Sequence, residues 1–378
     1  MRPGGLAATA ILVGCLACER PLVPDAVDGG QGGTTGLVGT GGDGGPGGSG
    51  GVGGSTGGTG GPVQPPPDCS TIVTSIDTLN PCGHTFGLAF SPDGRYVAMG
   101  TEAAHPNAHV WRMSDGARVL DIDGVGAATY NVAFSPDGRM LVTAGGYNEG
   151  SSSLTTDIVK LWDVPSGALV RTVSAGCGFY ASGAAFSPDG TLLATSGFTG
   201  PIEIWRLSDG VRVTSIPYPT TVHNVHFSPD GSKLIAGGVD ERATVWSVPA
   251  GTLLLALSGT ADEMADAAFS PDGAHIATTG MGNVIKVWDA TNGTLLQTLT
   301  GHTAPVSHVV WVGPDRLLTN DWSGTINSWT RGPYGFSMSD QWLTGGQSLG
   351  IALSPDGKTF GTGGMDQAGA EGFVFLPL

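Results

Sequence analysis

Several short patterns in this chain have the residue types that catalysis or metal binding uses. Gly47-Gly-Ser-Gly-Gly51 and Gly53-Gly-Ser-Thr-Gly57 both satisfy Gly-x-Ser-x-Gly, the sharp strand-to-helix turn that presents a nucleophilic serine. Neither has a strand pattern before it or a helix pattern after it, and in so glycine-rich a run composition alone produces the match. Gly357-Lys-Thr359 resembles the end of a phosphate-binding loop, but the earlier glycine such a loop needs would fall at Ala352. Cys15-Leu-Ala-Cys18 has zinc or redox spacing, yet it sits in an apolar N-terminal segment. His105 and His109 stand four apart around Pro106, which forbids a regular helical ligand pair. Asp121-Ile-Asp-Gly124 starts like a calcium loop and lacks the third carboxylate and the closing Glu. The expectation is a protein that is not an enzyme, with no catalytic residues, no metal site and no cofactor.

A second group of residues has the chemistry of recognition. Phe86, Tyr130, Tyr180, Tyr218, His223 and Met264 fall in loop-like stretches with Phe179 beside them, and Tyr147, Asn148 and Glu149 open a polar run to Thr156. Aromatic side chains supply large contact areas to a partner. Whether these can act together depends on the elements that carry them.

Those elements repeat. Phe90-Ser-Pro-Asp-Gly94 returns with its aromatic anchor at Phe134, Phe186, Phe227 and Phe269, and in degenerate form at Trp311 and Leu353. The intervals are 44, 52, 41, 42, 42 and 42 residues. A second marker keeps step: Trp111, Trp162, Trp205, Trp246, Trp288 and Trp329, with Phe375 in the seventh slot. Two markers in phase at this period define a repeat protein. The fifth repeat reads as four strands, Ala265–Phe269, His275–Thr278, Val284–Trp288 and Thr294–Leu299, with Ser270-Pro-Asp-Gly273 suited to a type I turn. Four short strands per repeat are the blade of a β-propeller, so the fold class is all-β and seven-bladed.

With Lys160-Leu-Trp-Asp163, Lys286-Val-Trp-Asp289 and Gly301-His302 in view, the chain resembles WD40-repeat proteins from about residue 69 to 378. Only two repeats keep Asp after the Trp; Arg112, Arg206, Ser247 and Thr330 replace it elsewhere. The resemblance implies a buried Asp–His–Ser–Trp hydrogen-bond set; Asp240, six before Trp246, is the clearest Asp and His302 the opening histidine. Candidates being few, blade rigidity is expected to rest on apolar packing. The seventh repeat ends after its third strand, at Phe373–Leu378, and Ser70–Leu79 supplies a strand of the missing kind. About Ile72 to Thr78 should therefore complete blade seven and close the ring, leaving no open edge there.

The family topology places the Tyr147–Thr156 insertion on the same face as the loops joining successive blades. Phe86, Tyr130 and His223 each stand four residues before their anchor, hence in equivalent places near the channel mouth. A monomeric ring binding a protein or peptide across this face is the favoured function. The alternative is a propeller enzyme or a receptor for a sugar, metal or quinone in the channel. It would need converging titratable groups, and this face offers mostly aromatics, hydroxyls and amides.

The N-terminal residues form a different kind of polymer. Leu6–Val13 is apolar but far short of the ~20 residues that span a bilayer. It ends in Leu12-Val-Gly-Cys15, similar to the bacterial lipoprotein signal, which implies a signal peptide over 1–14 and acylation of Cys15, with Cys18 as the less suitable second choice. Residues 15–68 read as a disordered tether, with Gly29–Pro62 about three-fifths glycine. Roughly 40 such residues span about 35 Å. Leu16, rather than Asp, after the cysteine points to the outer membrane or cell surface of the envelope. Net charge −16 and only 16 Lys and Arg argue against nucleic acid and against membrane contact other than through the anchor. Cys69, Cys82 and Cys177 remain after processing, and no bridge among them follows from the sequence.

Overall fold

A computed structural model describes residues 78–79, 85–101, 106–124, 128–146, 159–173, 180–198, 200–258, 264–344, 346–366 and 371–378. Cys15, the tether, Cys69, Cys82, Cys177 and the insertion with Tyr147, Asn148 and Glu149 lie outside the described residues.

Within the described residues every regular element is a strand, and the strands form seven four-stranded antiparallel sheets. The innermost strands are Thr85–Phe90, Ala128–Phe134, Ala181–Phe186, Val222–Phe227, Met264–Phe269, Val306–Gly313 and Gly346–Leu353. Each sheet is one repeat, numbered here as blades one to seven from the sheet that starts at Thr85. In the fifth the strands run Met264–Phe269, His275–Gly280, Val284–Asp289 and Leu295–Thr300, within a residue or two of the sequence expectation.

The seventh sheet closes with chain from the other terminus. Thr78 pairs with Val374 and Leu79 with Phe373, so Thr78–Leu79 is the outermost strand of blade seven. Residues 72–77 of the anticipated strand lie outside the described residues.

Each strand pattern follows from where the strand sits. Second strands are covered on both faces by neighbouring blades, so they read as unbroken buried runs such as Leu234–Gly238 rather than alternating ones. Fourth strands lie at the rim and leave Leu253, Leu254, Leu295 and Leu296 about half exposed. Seven apolar clusters fill the junctions between adjacent blades. One joins Val97, Met99 and Trp111 of blade one to Phe375 of blade seven, and another joins Leu318 and Ile326 of blade six to Ile351 and Phe360 of blade seven. Burying one such Val, Leu or Ile contributes about 1.5–3 kcal/mol, against a net ~1 kcal/mol for a typical hydrogen bond. The layers between blades therefore carry most of the stability.

The recurring turns are built alike. In the first, Gly94 N–H donates to the Ser91 carbonyl (2.8 Å), Ser91 Oγ donates to Asp93 (2.7 Å), and Tyr96 N–H returns to Ser91 Oγ (2.9 Å). Gly94 has φ +69°, which is why glycine ends the phrase. The Ser91 hydroxyl bond, helped by the Arg95 N–H and guanidinium, holds the Asp93 carboxyl down to about 2. Blade six departs: Gly313 pairs directly with Arg316, leaving a two-residue hairpin at Pro314-Asp315.

Polar contacts lock the tryptophans. In blade six Trp329 Nε1–H donates to Thr319 Oγ1 (2.8 Å), the Thr319 hydroxyl to His302 Nε2 (2.8 Å), and His302 Nδ1–H to Asp321 (2.8 Å). Asp240 does not head such a set. It accepts from Tyr218 OH (3.2 Å), which receives the Thr244 hydroxyl (3.4 Å), which receives Trp246 Nε1–H (2.9 Å). Tyrosine thus takes the place of the histidine, and burial pushes its phenol up to about 12. Asp321 escapes the spacing rule because it lies eight residues before its Trp rather than six. Trp162, Trp205 and Trp288 donate to Thr143, Thr195 and Thr278, each two residues beyond the Trp's cross-strand partner. Met99 occupies that slot opposite Trp111, and the Trp111 ring instead meets His109 edge-on at 5.4 Å. His109 is itself buried and bonded to Asp121 (2.8 Å).

Candidate functional site

The inner strands share a defect. In all seven, the register against the second strand shifts around the residue four before the anchor, at the end away from the Ser-Pro-Asp-Gly turn. A bulge leaves its extra residue unpaired and re-aims its side chain. Phe86, Tyr130 and His223 are these bulged residues in blades one, two and four, so their equivalence in sequence is an equivalence in space. All three line the channel, together with Tyr180.

Their exposure is a correction to the sequence reading. Phe86 and Tyr180 are each only 7% exposed, while Tyr130 and His223 are half-buried. The cause is aromatic packing: Phe86 meets Tyr130 at 5.1 Å, Tyr130 meets Tyr180 at 5.3 Å, and Tyr180 meets Phe198 at 5.3 Å. Edge-to-face and tilted rings at these separations favour one another, so Phe86 and Tyr180 are covered by their neighbours while Tyr130 and Phe198 stay half-buried. Phe198 was not singled out by the anchor spacing, because it follows a second strand rather than preceding an inner one. Tyr218 is buried beneath Asp240 and contributes nothing to the face. Met264 begins the inner strand of blade five, and only its backbone is described.

Below the mouth the lumen encloses a cavity of about 490 Å³. The sequence reading concerned the face with the joining loops; in the lumen below it, titratable groups do converge. Asp266, three before its anchor in blade five, is buried in the channel wall and takes bonds from three blades. Its Oδ1 accepts from Asn224 Nδ2 (3.2 Å) and His226 Nε2 (3.1 Å) of blade four and from Ala267 N–H (2.9 Å); its Oδ2 accepts from Val309 N–H (3.3 Å) of blade six. Burial works to raise the Asp266 carboxyl, but the His226 and His308 imidazoles and the Val309 N–H outweigh it and hold it below the ordinary carboxylate range. His308 lies beside it, three before the anchor of blade six, and burial pushes its pKa down despite the Asp266 charge. The signal was in the sequence: three before the anchor the blades read Gly87, Asn131, Gly183, Asn224, Asp266, His308 and Gly350. Anchor-centred reading looked one residue too early.

The lumen is consequently two-sided. Asn224, His226, Asp266 and His308 face it from blades four to six, whereas Ala89, Ala133, Ala185 and Ala352 line it from the other blades. Among the described residues no group of three or more His, Cys, Asp and Glu side chains is placed to hold a metal ion.

Comparison with known proteins agrees with this architecture. Residues 211–247, 251–289 and 293–330 match the family model described as WD40: WD domain, G-beta repeat. These stretches lie in blades three to six, so WD40 repeats are matched over that part of the ring. No curated protein matches the chain.

Proposed function

We propose that this propeller is a binding scaffold that holds a protein or peptide across the channel mouth, carried on the cell envelope by a lipid at Cys15. WD40 propellers commonly serve as protein-interaction scaffolds, which supports the first half. The observation that carries it is the continuous arc Phe86–Tyr130–Tyr180–Phe198, in which Tyr130 and Phe198 remain half-buried at the rim. Aromatic residues set in packed surroundings are the usual centres of binding energy. The membrane half rests on Leu12-Val-Gly-Cys15 and on the glycine-rich run that follows it.

Tyr130→Ala combined with His223→Ala tests the site, because both are half-buried and can be truncated without opening the core. Partner captured by crosslinking on intact envelopes should fall by ~2 kcal/mol in affinity, about thirtyfold, with a melting temperature close to wild type. Tyr180→Ala is the control for packing: being buried, it should cost about 3 kcal/mol of stability. Normal capture by the double variant would move the site to the rim or the opposite face. For the anchor, Cys15→Ser should abolish the N-terminal mass increase of the acylated protein and its detergent requirement. A wild-type protein without that mass increase, found in the soluble fraction, would remove the anchor from the proposal.

A further inference from the structure

The lumen beneath the mouth has features that docking across the mouth does not use. Among the described residues its wall over blades four to six contains one acid, Asp266, and no lysine or arginine. Two lining groups are buried without a hydrogen-bond partner among the described residues: Nδ1 of His308 and Oδ1 of Asn131. Both side chains are otherwise half-buried, so it is their remaining edges that face the lumen. His226 has committed its Nε2 to Asp266 and is still 39% exposed on its side chain, which turns the rest of its ring toward the lumen. The facing wall is mainly apolar, with Ala89, Ala185 and Ala352 beside Asn131 and Ser182 and with Tyr130 above them.

We propose that the channel binds a small organic cation, an amine with a compact apolar or aromatic body, independently of any partner at the mouth. The ammonium would sit against the lumen-facing edges of His226 and His308, with the Asp266 carboxylate behind them supplying attraction in a poorly screened interior. The body would lie against the alanine wall beneath Tyr130, whose ring face also favours a cation. The volume, about 490 Å³, is within the range of small-molecule sites. Charge decides the class. An anion would meet the Asp266 carboxylate with no basic side chain to compensate, and a neutral isostere would forgo the attraction to that carboxylate. The net charge of −16 further favours the approach of cations.

Three probes of nearly one shape test this on the full chain: benzylamine, benzyl alcohol and benzoate, titrated by calorimetry and by ligand-observed NMR. Benzylamine should bind saturably with one site per chain, benzyl alcohol at least about tenfold more weakly, and benzoate not detectably. Asp266→Asn should erase the preference for amine over alcohol. Ala352→Leu should fill the lumen from the opposite wall and abolish amine binding while the mouth still captures its partner, so this inference and the scaffold reading fail separately. Equal binding of the alcohol or of benzoate, no saturable amine binding, or unchanged amine affinity in Ala352→Leu would each overturn the proposal. Should Asp266→Asn fail to fold, the wild-type selectivity and the Ala352 variant still decide it.

Discussion

Deleting residues 69–80 should abolish the single cooperative melt and replace it with aggregation on heating. The deletion removes Thr78–Leu79, the strand that pairs with Phe373 and Val374 and covers the outer edge of blade seven. An uncovered strand edge presents unpaired N–H and C=O groups and templates association with other chains. The damage should not stay local. Phe375 lies on the strand that loses its partner, and it packs against Val97, Met99 and Trp111 in the layer that joins blade seven to blade one. In a ring, one loosened junction converts a closed structure into an open array whose ends fray. Circular dichroism and light scattering recorded together during heating would show it. A truncated protein that melts in one transition at the parent temperature, without scattering, would refute closure by this strand.

Asp321→Ala should cost about 3–5 kcal/mol, and Asp240→Ala about 1 kcal/mol, although spacing from the tryptophan favours Asp240. Asp321 and His302 have fully buried side chains. Asp321 accepts from the His302 ring, from the Ser323 hydroxyl (2.6 Å) and from the N–H groups of Ser323 and Thr325 (2.9 and 3.0 Å). Burial by itself would raise its pKa, yet the bonds from His302, Ser323 and Thr325 hold it below the ordinary carboxylate range. Removing it strands several buried donors at once and releases His302, through which Thr319 and Trp329 are held. Asp240, only partly buried, has one long bond from Tyr218, and the layer around Tyr218 is apolar and survives its loss. Urea titrations should show the midpoint falling far more for Asp321→Ala, with the m-value unchanged. Equal losses would mean that the Trp329 set adds nothing beyond its packing.

The repeat count, the four strands of each blade and the source of the closing strand were legible because they depend on local periodicity. A Pro-Asp-Gly turn and an apolar run dictate the same hairpin wherever they occur, and seven copies in phase leave little choice of architecture. The equivalence of Phe86, Tyr130 and His223 was legible for the same reason, since equal distance from an anchor becomes an equal position in each inner strand. Their exposure was not. Phe86 is covered by Tyr130 of the next blade, and Tyr180 by Tyr130 and by Phe198 at the far end of its own hairpin, neither of which the distance to an anchor records.

The same distinction separates the two polar networks from the sequence that encodes them. Periodicity by itself determined that this chain is a seven-bladed ring of four-stranded blades, with Phe86, Tyr130 and His223 at equivalent places in it. Only the closed ring decided that Asn224 and His226 of one blade, Asp266 of the next and His308 of a third meet in one channel, some 40 residues apart in sequence at each step. Likewise the tertiary structure, and not the distance to Trp329, placed Asp321 against His302. The physical reason is that turns and strands are set by neighbours along the chain, whereas a carboxylate's partners, its burial and hence its charge state are set by whatever the ring's curvature folds against it.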